Sequence, residues 1–265
     1  MRSEELRIGV FDSGLGGLTV VKALTGVIQN ADIFYVADTK NAPYGEKTPE
    51  QILQYSLDIT QYLIETHQID ALIVACNTAT SFAIKKLRAL YPNLIIIGTE
   101  PGVKPALEKT KTGKIGVLAT PATLQGEKYQ TLVKQLSKGK NVVLYEQACP
   151  GLVEQIERGA IACDTTKTLL NTWLSPMKKN NVDTIVLGCT HYPLVAGIIE
   201  SIMDGDITLI ETGSAIANRL LTLSQNIGHH NEGNLSIFIY HTDTINKESI
   251  ESIIADYNFL KSMSI

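Results

Sequence analysis

Short β-branched segments alternate with amphipathic segments along the whole chain, and this alternation constrains the fold more than any other feature. The amphipathic stretch that begins at Thr48 carries the clearest helix start, with a proline in its first turn and Gln51 placed to complete a capping box. Strand–helix alternation predicts parallel sheets flanked by helices, an α/β fold. The predicted strands are residues 7–11, 32–37, 71–75, 94–98, 114–119, 142–146, 184–188, 207–210 and 235–240.

Two pairs of segments resemble each other in the same order along the chain. Residues 8–13 resemble residues 115–120, and residues 70–76 resemble residues 183–189, with offsets of 107 and 113 residues. Either pair alone is explained by chance likeness between strand–turn–helix units, but two pairs in register favour an internal duplication. We therefore predict two pseudo-symmetric α/β domains, each a mostly parallel sheet flanked by helices, with the active site in the cleft between them.

Composition excludes several classes of protein. The chain has 265 residues, enough for one large or two small domains, and a net charge of −4 with scattered lysines. We therefore expect no nucleic-acid partner and no membrane partner. The apolar runs are too short to span a bilayer, and no secretory signal is evident, so we expect a cytoplasmic protein. The four cysteines lack C-x-x-C spacing, which argues against a disulfide scaffold and a metal site.

Two cysteines follow predicted strands at equivalent positions of the repeat. Cys76 and Cys189 are each followed by polar residues, and ligands bind beyond the carboxyl ends of parallel strands. A stereoinverting proton transfer needs one acid–base group on each face of a carbon. A thiol suits that task, because its ordinary pKa of about 8.5 is lowered by a nearby cation or helix N-terminus. We interpret Cys163, and with less support Cys149, as small buried hydrophobic residues.

The neighbouring side chains suit an amino-acid ligand. Hydroxyl, amide and backbone N–H groups bind carboxylates, whereas Asp12 is placed to accept from an ammonium group or to act on the thiol. His191 is placed to lower the thiol pKa or to donate to a substrate, and the alternative is a neutral ring packed in its loop. Helix capping stays open as the role of Thr78, Thr80 and Thr123. The carboxylate candidates are Ser13, Asn77, Thr78 and Thr190, with Glu154 as a further acidic candidate.

The remaining motifs demand no cofactor. The glycine cluster Gly14-Leu15-Gly16-Gly17 lacks the spacing of a dinucleotide site, and no Lys-Ser or Lys-Thr follows to form a phosphate loop. Tight turns and close approach of the backbone to a ligand explain these glycines more simply. The other histidines show no metal-ligand spacing and are interpreted as structural or solvent-facing residues in surface segments: His67, His229, His230 and His241.

Five motifs, spread from about Ile8 to Thr212, resemble those of the glutamate racemase family, whereas the stretch from Gly213 onward matches only in general pattern. The motifs are Asp12-Ser13-Gly14-Leu15-Gly16-Gly17, Pro43-Tyr44-Gly45, Ala75-Cys76-Asn77-Thr78-Ala79, Glu100-Pro101-Gly102-Val103-Lys104-Pro105-Ala106 and Gly188-Cys189-Thr190-His191-Tyr192-Pro193-Leu194.

The resemblance implies a cofactor-independent enzyme that interconverts L- and D-glutamate and supplies D-glutamate for peptidoglycan. It assigns Cys76 to the α-proton of D-glutamate and Cys189 to that of L-glutamate. The implied substrate contacts are Asp12, Ser13, Tyr44, Gly45, Asn77, Thr78, Thr190 and His191, with Thr120, Thr123 and Glu154 matching less firmly. The implied first domain is discontinuous and consists of residues 1–98 and 209–265, whereas residues 99–208 form the second domain.

Two alternatives remain open. The first is an aspartate racemase or another two-cysteine enzyme that acts on a small dicarboxylate. The second is a non-catalytic amino-acid-binding module, which would need no reactive pair of thiols. The sequence does not fix the oligomeric state, so a homodimer also stays open.

Overall fold

The structure is a computed structural model that describes residues 5–137, 142–254 and 257–263. It divides the chain into two compact units, Met1–Thr99 with Thr212–Ile265 as the first and Glu100–Glu211 as the second. Each unit is an α/β fold with one parallel sheet flanked by helices. Within the described residues, no helix is both long and apolar enough to cross a bilayer.

The first unit begins with four strands and three helices, and a short 3-10 helix at Tyr44–Glu46 precedes α2. In chain order, the elements are β1 (Leu6–Asp12), α1 (Leu18–Thr25), β2 (Ala31–Ala37), α2 (Pro49–His67), β3 (Ala71–Val74), α3 (Asn77–Leu90) and β4 (Ile95–Gly98).

The second unit follows without interruption, and a 3-10 helix at Tyr192–Val195 comes directly after its third strand. Its elements are α4 (Val103–Lys109), β5 (Lys114–Ala119), α5 (Pro121–Gln125), α6 (Glu127–Ser137), β6 (Val143–Ala148), α7 (Leu152–Glu157), α8 (Asp164–Lys179), β7 (Thr184–Gly188), α9 (Ala196–Ile202) and β8 (Thr208–Ile210).

The chain then returns to the first unit. The returning elements are α10 (Gly213–Asn226), β9 (Leu235–His241), α11 (Lys247–Ile253) and β10 (Phe259–Ser262). The six-stranded sheet has the order β10-β9-β2-β1-β3-β4, and the four-stranded sheet has the order β6-β5-β7-β8. The returning segment therefore extends one edge of the first sheet.

The repeated segments occupy equivalent positions in the two sheets. Ile8 pairs with Ala71 between β1 and β3, and the equivalent Ile115 pairs with Thr184 between β5 and β7. The order β4-β3-β1-β2 in the first sheet thus corresponds to β8-β7-β5-β6 in the second. Consequently Cys76 and Cys189 each follow the same strand of an equivalent sheet.

Local sequence explains the best-defined helix. Thr48 accepts a hydrogen bond from the Gln51 N–H, and the Gln51 side chain accepts one from the Thr48 N–H, which completes the predicted capping box of α2. A Cβ at Gly9 would lie 2.8 Å from Cδ1 of Ile69 and 3.0 Å from Cδ1 of Leu63, so a larger residue there would displace the ends of these side chains. Helix α2 therefore packs closely on β1.

Two features differ from the sequence-based expectations. The second unit ends at Glu211 rather than at residue 208, because residues 208–210 form β8 and pair with β7. Strand β10 was not predicted. It is a short edge strand that includes Lys261 and pairs with β9.

Candidate active site

Cys76 lies at the start of a long helix. It is the N-cap of α3, only 6% exposed, and its Sγ accepts a hydrogen bond from the Ala79 N–H at 3.4 Å. The thiol also lies 3.9 Å from the Ser13 hydroxyl, to which it donates. The hydrogen bond from the Ala79 N–H and the helix dipole at this position favour a thiolate.

Asp12 and Ser13 lie where β1 ends. The Asp12 carboxylate is fully buried and accepts a hydrogen bond from the Gly14 N–H at 3.2 Å. Residue 17 must be a glycine, because a Cβ there would lie 2.5 Å from the Asp12 Cβ and 2.8 Å from the Tyr35 hydroxyl. The glycine cluster therefore lets α1 start directly beside the Asp12 side chain.

Tyr44 lies in the 3-10 helix that packs against α3. Its hydroxyl is buried and donates to Oδ2 of Asp38 at 2.6 Å. Burial, followed by the charge and hydrogen bond of Asp38, raises the pKa of Tyr44 well above its ordinary value. Tyr44 therefore stays a neutral phenol, and Gly45 follows it with a half-buried backbone.

Asn77 and Thr78 form the first turn of α3, directly after Cys76. Both are buried, and Nδ2 of Asn77 has no hydrogen-bond partner among the described residues. A buried amide donor without a partner costs free energy unless a ligand or water accepts its hydrogen bond. The residue that follows Cys76 therefore has a buried side-chain donor that a ligand or water can satisfy.

Cys189 follows β7 in the second unit and has an imidazole partner. Its Sγ lies 3.7 Å from Nδ1 of His191, and Nε2 of His191 lies 2.5 Å from Oε1 of Glu157. Burial lowers the pKa of His191, but hydrogen bonds to Cys189 and Glu157 outweigh this effect and raise it well above the ordinary value. Thr190 lies 3.4 Å from the same Nδ1 through its hydroxyl. A protonated imidazole here would stabilise a Cys189 thiolate.

Sequence reasoning missed Glu157 and proposed Glu154 instead. Glu157 contacts His191, whereas Glu154 acts on Tyr192, whose pKa is raised well above its ordinary value by burial and by nearby charges that include Glu154. The local sequence indicates a site role for Glu157 only weakly. Glu157 follows buried Ile156 at the end of α7 and lies one turn after Val153.

Several further candidates have structural roles. Thr120 caps α5 by accepting from the Thr123 N–H at 3.2 Å, and its hydroxyl donates to the Thr123 hydroxyl at 2.9 Å. Thr80 joins two strands, since its hydroxyl donates to the Val74 carbonyl and accepts from the Thr99 N–H. The N-cap of α5 is therefore Thr120, whereas Thr123 lies inside α5 and Thr80 inside α3, so neither of these two threonines has the capping role that the sequence left open.

The other two cysteines differ from each other. Cys149 is buried, which raises its pKa to about 12 and keeps it a neutral thiol. The interpretation of Cys163 as a buried hydrophobic residue was wrong, because this side chain is partly exposed and caps α8 through the Thr166 N–H. His67 was wrongly placed at the surface, since it is 8% exposed and stacks on Phe34.

The described residues contain no group of three or more His, Cys, Asp and Glu side chains arranged to hold a metal ion. The groups assembled in each unit are instead acid–base and hydrogen-bonding groups. Each unit holds a thiol just after the equivalent strand, Cys76 after β3 and Cys189 after β7, with its own set of polar neighbours. Such sets are suited to proton transfer and to binding carboxylates.

Comparison with known proteins gives the family. The model of the family described as Asp/Glu/Hydantoin racemase matches residues 18–220. The glutamate racemase of a Sulfurovum species is 65% identical over 260 residues, 98% of each chain. That of Aliarcobacter butzleri is 59% identical over 253 residues, 96% of this chain and 97% of its own.

Solved structures of glutamate racemases also match this chain. A glutamate racemase isoform of Bacillus anthracis has a TM-score of 0.87 at 28% identity and covers 99% of both chains. The Francisella tularensis glutamate racemase, solved in complex with D-glutamate, has a TM-score of 0.85 at 28% identity and covers 99% of this chain and 98% of its own. This chain therefore belongs to the glutamate racemases of the Asp/Glu/hydantoin racemase family.

Proposed function

We propose that this chain interconverts L- and D-glutamate without an added cofactor, by proton transfer between the α-carbon and two thiols. The observation that carries the proposal is the equivalent placement of Cys76 and Cys189, each just after the equivalent strand, β3 or β7, of two sheets that share one register. Its support from relatives is the near full-length identity to glutamate racemases.

The thiols exchange roles between the two directions. With L-glutamate, the Cys189 thiolate takes the α-proton, so that the C–H bond breaks and an S–H bond forms. The Cys76 thiol then delivers its proton to the opposite face of the carbanion. With D-glutamate the same steps run in reverse, since each direction needs one base and one acid.

The neighbouring groups make both steps possible. The Ala79 N–H and the start of α3 stabilise the Cys76 thiolate, and the His191 imidazolium stabilises the Cys189 thiolate. Asp12 is proposed to hold the α-ammonium group. The proposed carboxylate contacts are Ser13, Tyr44, Gly45, Asn77, Thr78 and Thr190.

The cellular role follows from the product. D-glutamate made by this enzyme would supply peptidoglycan synthesis. A cytoplasmic location and a homodimeric assembly stay predictions.

An isotope exchange assay tests the proposal. The purified protein is incubated in deuterated water with L-glutamate and, in parallel, with L-aspartate, without added cofactor. We expect glutamate to gain deuterium at the α-carbon and to lose optical activity, while aspartate stays unchanged. Turnover of aspartate alone would favour the aspartate racemase alternative, and tight binding without exchange would favour an amino-acid-binding module.

A further inference from the structure

We infer that Asp38 is a positioning residue, which fixes the Tyr44–Gly45 segment of the substrate site and is itself held by Thr242 from the returning part of the chain. The inference rests on the proposed function, because it concerns a segment proposed to contact glutamate. Neither Asp38 nor Thr242 belongs to the set of proposed substrate contacts.

Asp38 follows β2 directly and is 2% exposed. Its Oδ2 accepts from the Tyr44 hydroxyl at 2.6 Å, and its Oδ1 accepts from the Thr242 hydroxyl at 2.7 Å. Nδ2 of Asn41 lies 3.1 and 3.0 Å from the two oxygens. A buried carboxylate is stable only when such donors replace water, so this cluster is a well-defined polar network.

Two contacts connect the Asp38 network to the part of the first unit that contains Cys76. The Asp38 N–H donates to the Asp12 carbonyl at 2.9 Å, which joins the first residue after β2 to the last residue of β1. The Tyr44 ring is 1% exposed and lies in the same packed cluster as Cys76. A shift of the Asp38 carboxylate would therefore move the segment beside the Cys76 thiol.

The hydrogen-bond polarity restricts what Tyr44 can do. A phenol has one proton, and here Asp38 accepts it. The phenolic oxygen can then only accept from any further group, so Tyr44 cannot donate its hydroxyl proton to a substrate carboxylate. The segment is thereby left to bind substrate through its backbone N–H groups or through the phenolic oxygen as an acceptor.

Thr242 connects the returning segment of the chain to Asp38. It follows β9, donates to Asp38, and accepts from the Lys40 N–H at 3.0 Å. The Asp243 N–H donates in turn to the Thr39 hydroxyl at 2.9 Å. These bonds fasten the loop after β9 to the loop after β2, so residues beyond the last recognised motif help to set the site.

The test uses four variants with matched partners. Asp38→Asn places an amide N–H₂ group against a hydroxyl that needs an acceptor, whereas Asp58→Asn makes the same change in a carboxylate that lines the same small cavity and accepts from Gln54. Thr242→Val removes the donor to Asp38, and Thr242→Ser keeps it. Steady-state rates of glutamate racemisation are measured for each, with thermal unfolding as a check of folding.

We expect Asp38→Asn to lower kcat/KM about tenfold, mainly through a higher KM, as for loss of one hydrogen bond to a charged group. Asp58→Asn should leave kcat/KM unchanged. Thr242→Val should reproduce part of the loss, and Thr242→Ser should restore it. If Asp38→Asn does not fold, the Thr242 pair decides the question. Equal effects of Asp38→Asn and Asp58→Asn, or of the two Thr242 variants, would overturn the inference.

Two further measurements separate positioning from a general structural effect. If Asp38 acts through Tyr44, Asp38→Asn should have little additional effect on kcat/KM in a Tyr44→Phe background. With fluorotyrosine incorporated, the ¹⁹F signal assigned by its loss in Tyr44→Phe should titrate at lower pH in Asp38→Asn. Additive losses, or an unchanged titration, would count against the inference. Absence of glutamate turnover in the unaltered protein would instead refute the proposed function.

Discussion

The two cysteine loops share a strand register but differ in what surrounds the sulfur. Cys76 opens α3, a helix of 14 residues, and accepts a backbone N–H from its first turn. Cys189 precedes a 3-10 helix of 4 residues and relies on His191 and Glu157. A short 3-10 helix offers few aligned peptide dipoles, so a cationic side chain replaces the helix terminus as the source of positive charge.

This difference shows what duplication preserves in such a fold. The strand register fixes where each thiol lies, because residues after equivalent strands reach equivalent points of the sheet edge. The local sequence after each strand then decides how the thiol is activated. We therefore expect the two thiols to be equally necessary but to respond differently to pH.

The largest effect should come from removing either thiol. Cys76→Ala or Cys189→Ala should lower glutamate racemisation by about 10³-fold or more, because each direction loses its base or its acid. Because the two enantiomers have equal free energies, kcat/KM must fall by the same factor in both directions. Polarimetry or chiral chromatography measures the loss.

Cys163→Ser is the control for the thiol variants. Serine keeps the cap of α8, so turnover should stay nearly intact. A Cys76 or Cys189 variant that retained racemisation, or a folded Cys163 variant that lost it, would contradict the assignment of the reactive pair.

The next largest effect should be on the pH dependence of racemisation, and it should arise from the Cys189 loop. Glu157 raises the pKa of His191, so Glu157→Gln should lower that pKa. A histidine is protonated below its pKa, and any rate that needs the imidazolium falls as the pH rises through it. The alkaline limb of kcat should therefore move to lower pH in Glu157→Gln, with a loss of about tenfold on that side of the profile.

Glu154→Gln is the matched comparison. Glu154 lies on the same helix, but its charge contributes to the raised pKa of Tyr192 instead. The ¹⁵N signals of His191, assigned by their loss in His191→Asn, give its pKa directly. An alkaline limb that moves in Glu154→Gln but stays in place in Glu157→Gln would reverse the assignment of the two carboxylates.

Much of the fold was predictable from local patterns. The strands that carry the site are apolar β-branched runs, and the repeat predicted that Cys76 and Cys189 follow equivalent strands. Strand β10 was not predicted from the sequence, because residues 259–262 form a short segment that includes a lysine, as is common in edge strands. The expected start of the returning segment, residue 209, falls inside the strand predicted at residues 207–210, and this strand pairs with β7 in the second unit.

The sequence indicated candidate residues for the site but not the contacts between them. Glu157 and His191 are 34 residues apart, and nothing in either local sequence indicates that they meet. Asp38 and Thr242 are separated by 204 residues. Cys163 was misjudged although Asp164 and Thr166 follow it, a pattern typical of a helix start. Long-range polar contacts depend on how elements pack, which residue types alone do not specify.

The smallest expected effect is on stability. It compares the aspartates that precede the equivalent strands β3 and β7. Asp183, the counterpart of Asp70, accepts from the Thr110 hydroxyl at 2.6 Å and from the N–H groups of Lys111 and Thr112 at 2.7 and 2.8 Å. Burial alone would raise its pKa, but these hydrogen bonds outweigh burial and lower the pKa to about 2. Asp183 therefore stabilises the second unit above its ordinary pKa, and this contribution is lost as the pH falls towards 2.

Asp183→Asn should lower the free energy of unfolding at neutral pH by about 1 to 2 kcal/mol. Urea denaturation monitored by Trp173, the single tryptophan and a residue of α8 in the second unit, measures the change. The difference from the unaltered protein should shrink as the pH is lowered from about 4 towards 2, because protonation then removes the same charge. Asp70→Asn is the matched substitution in the first unit. A larger change at Trp173 for Asp70→Asn, or a difference that grew on acidification, would show that Asp183 does not hold this loop through its charge.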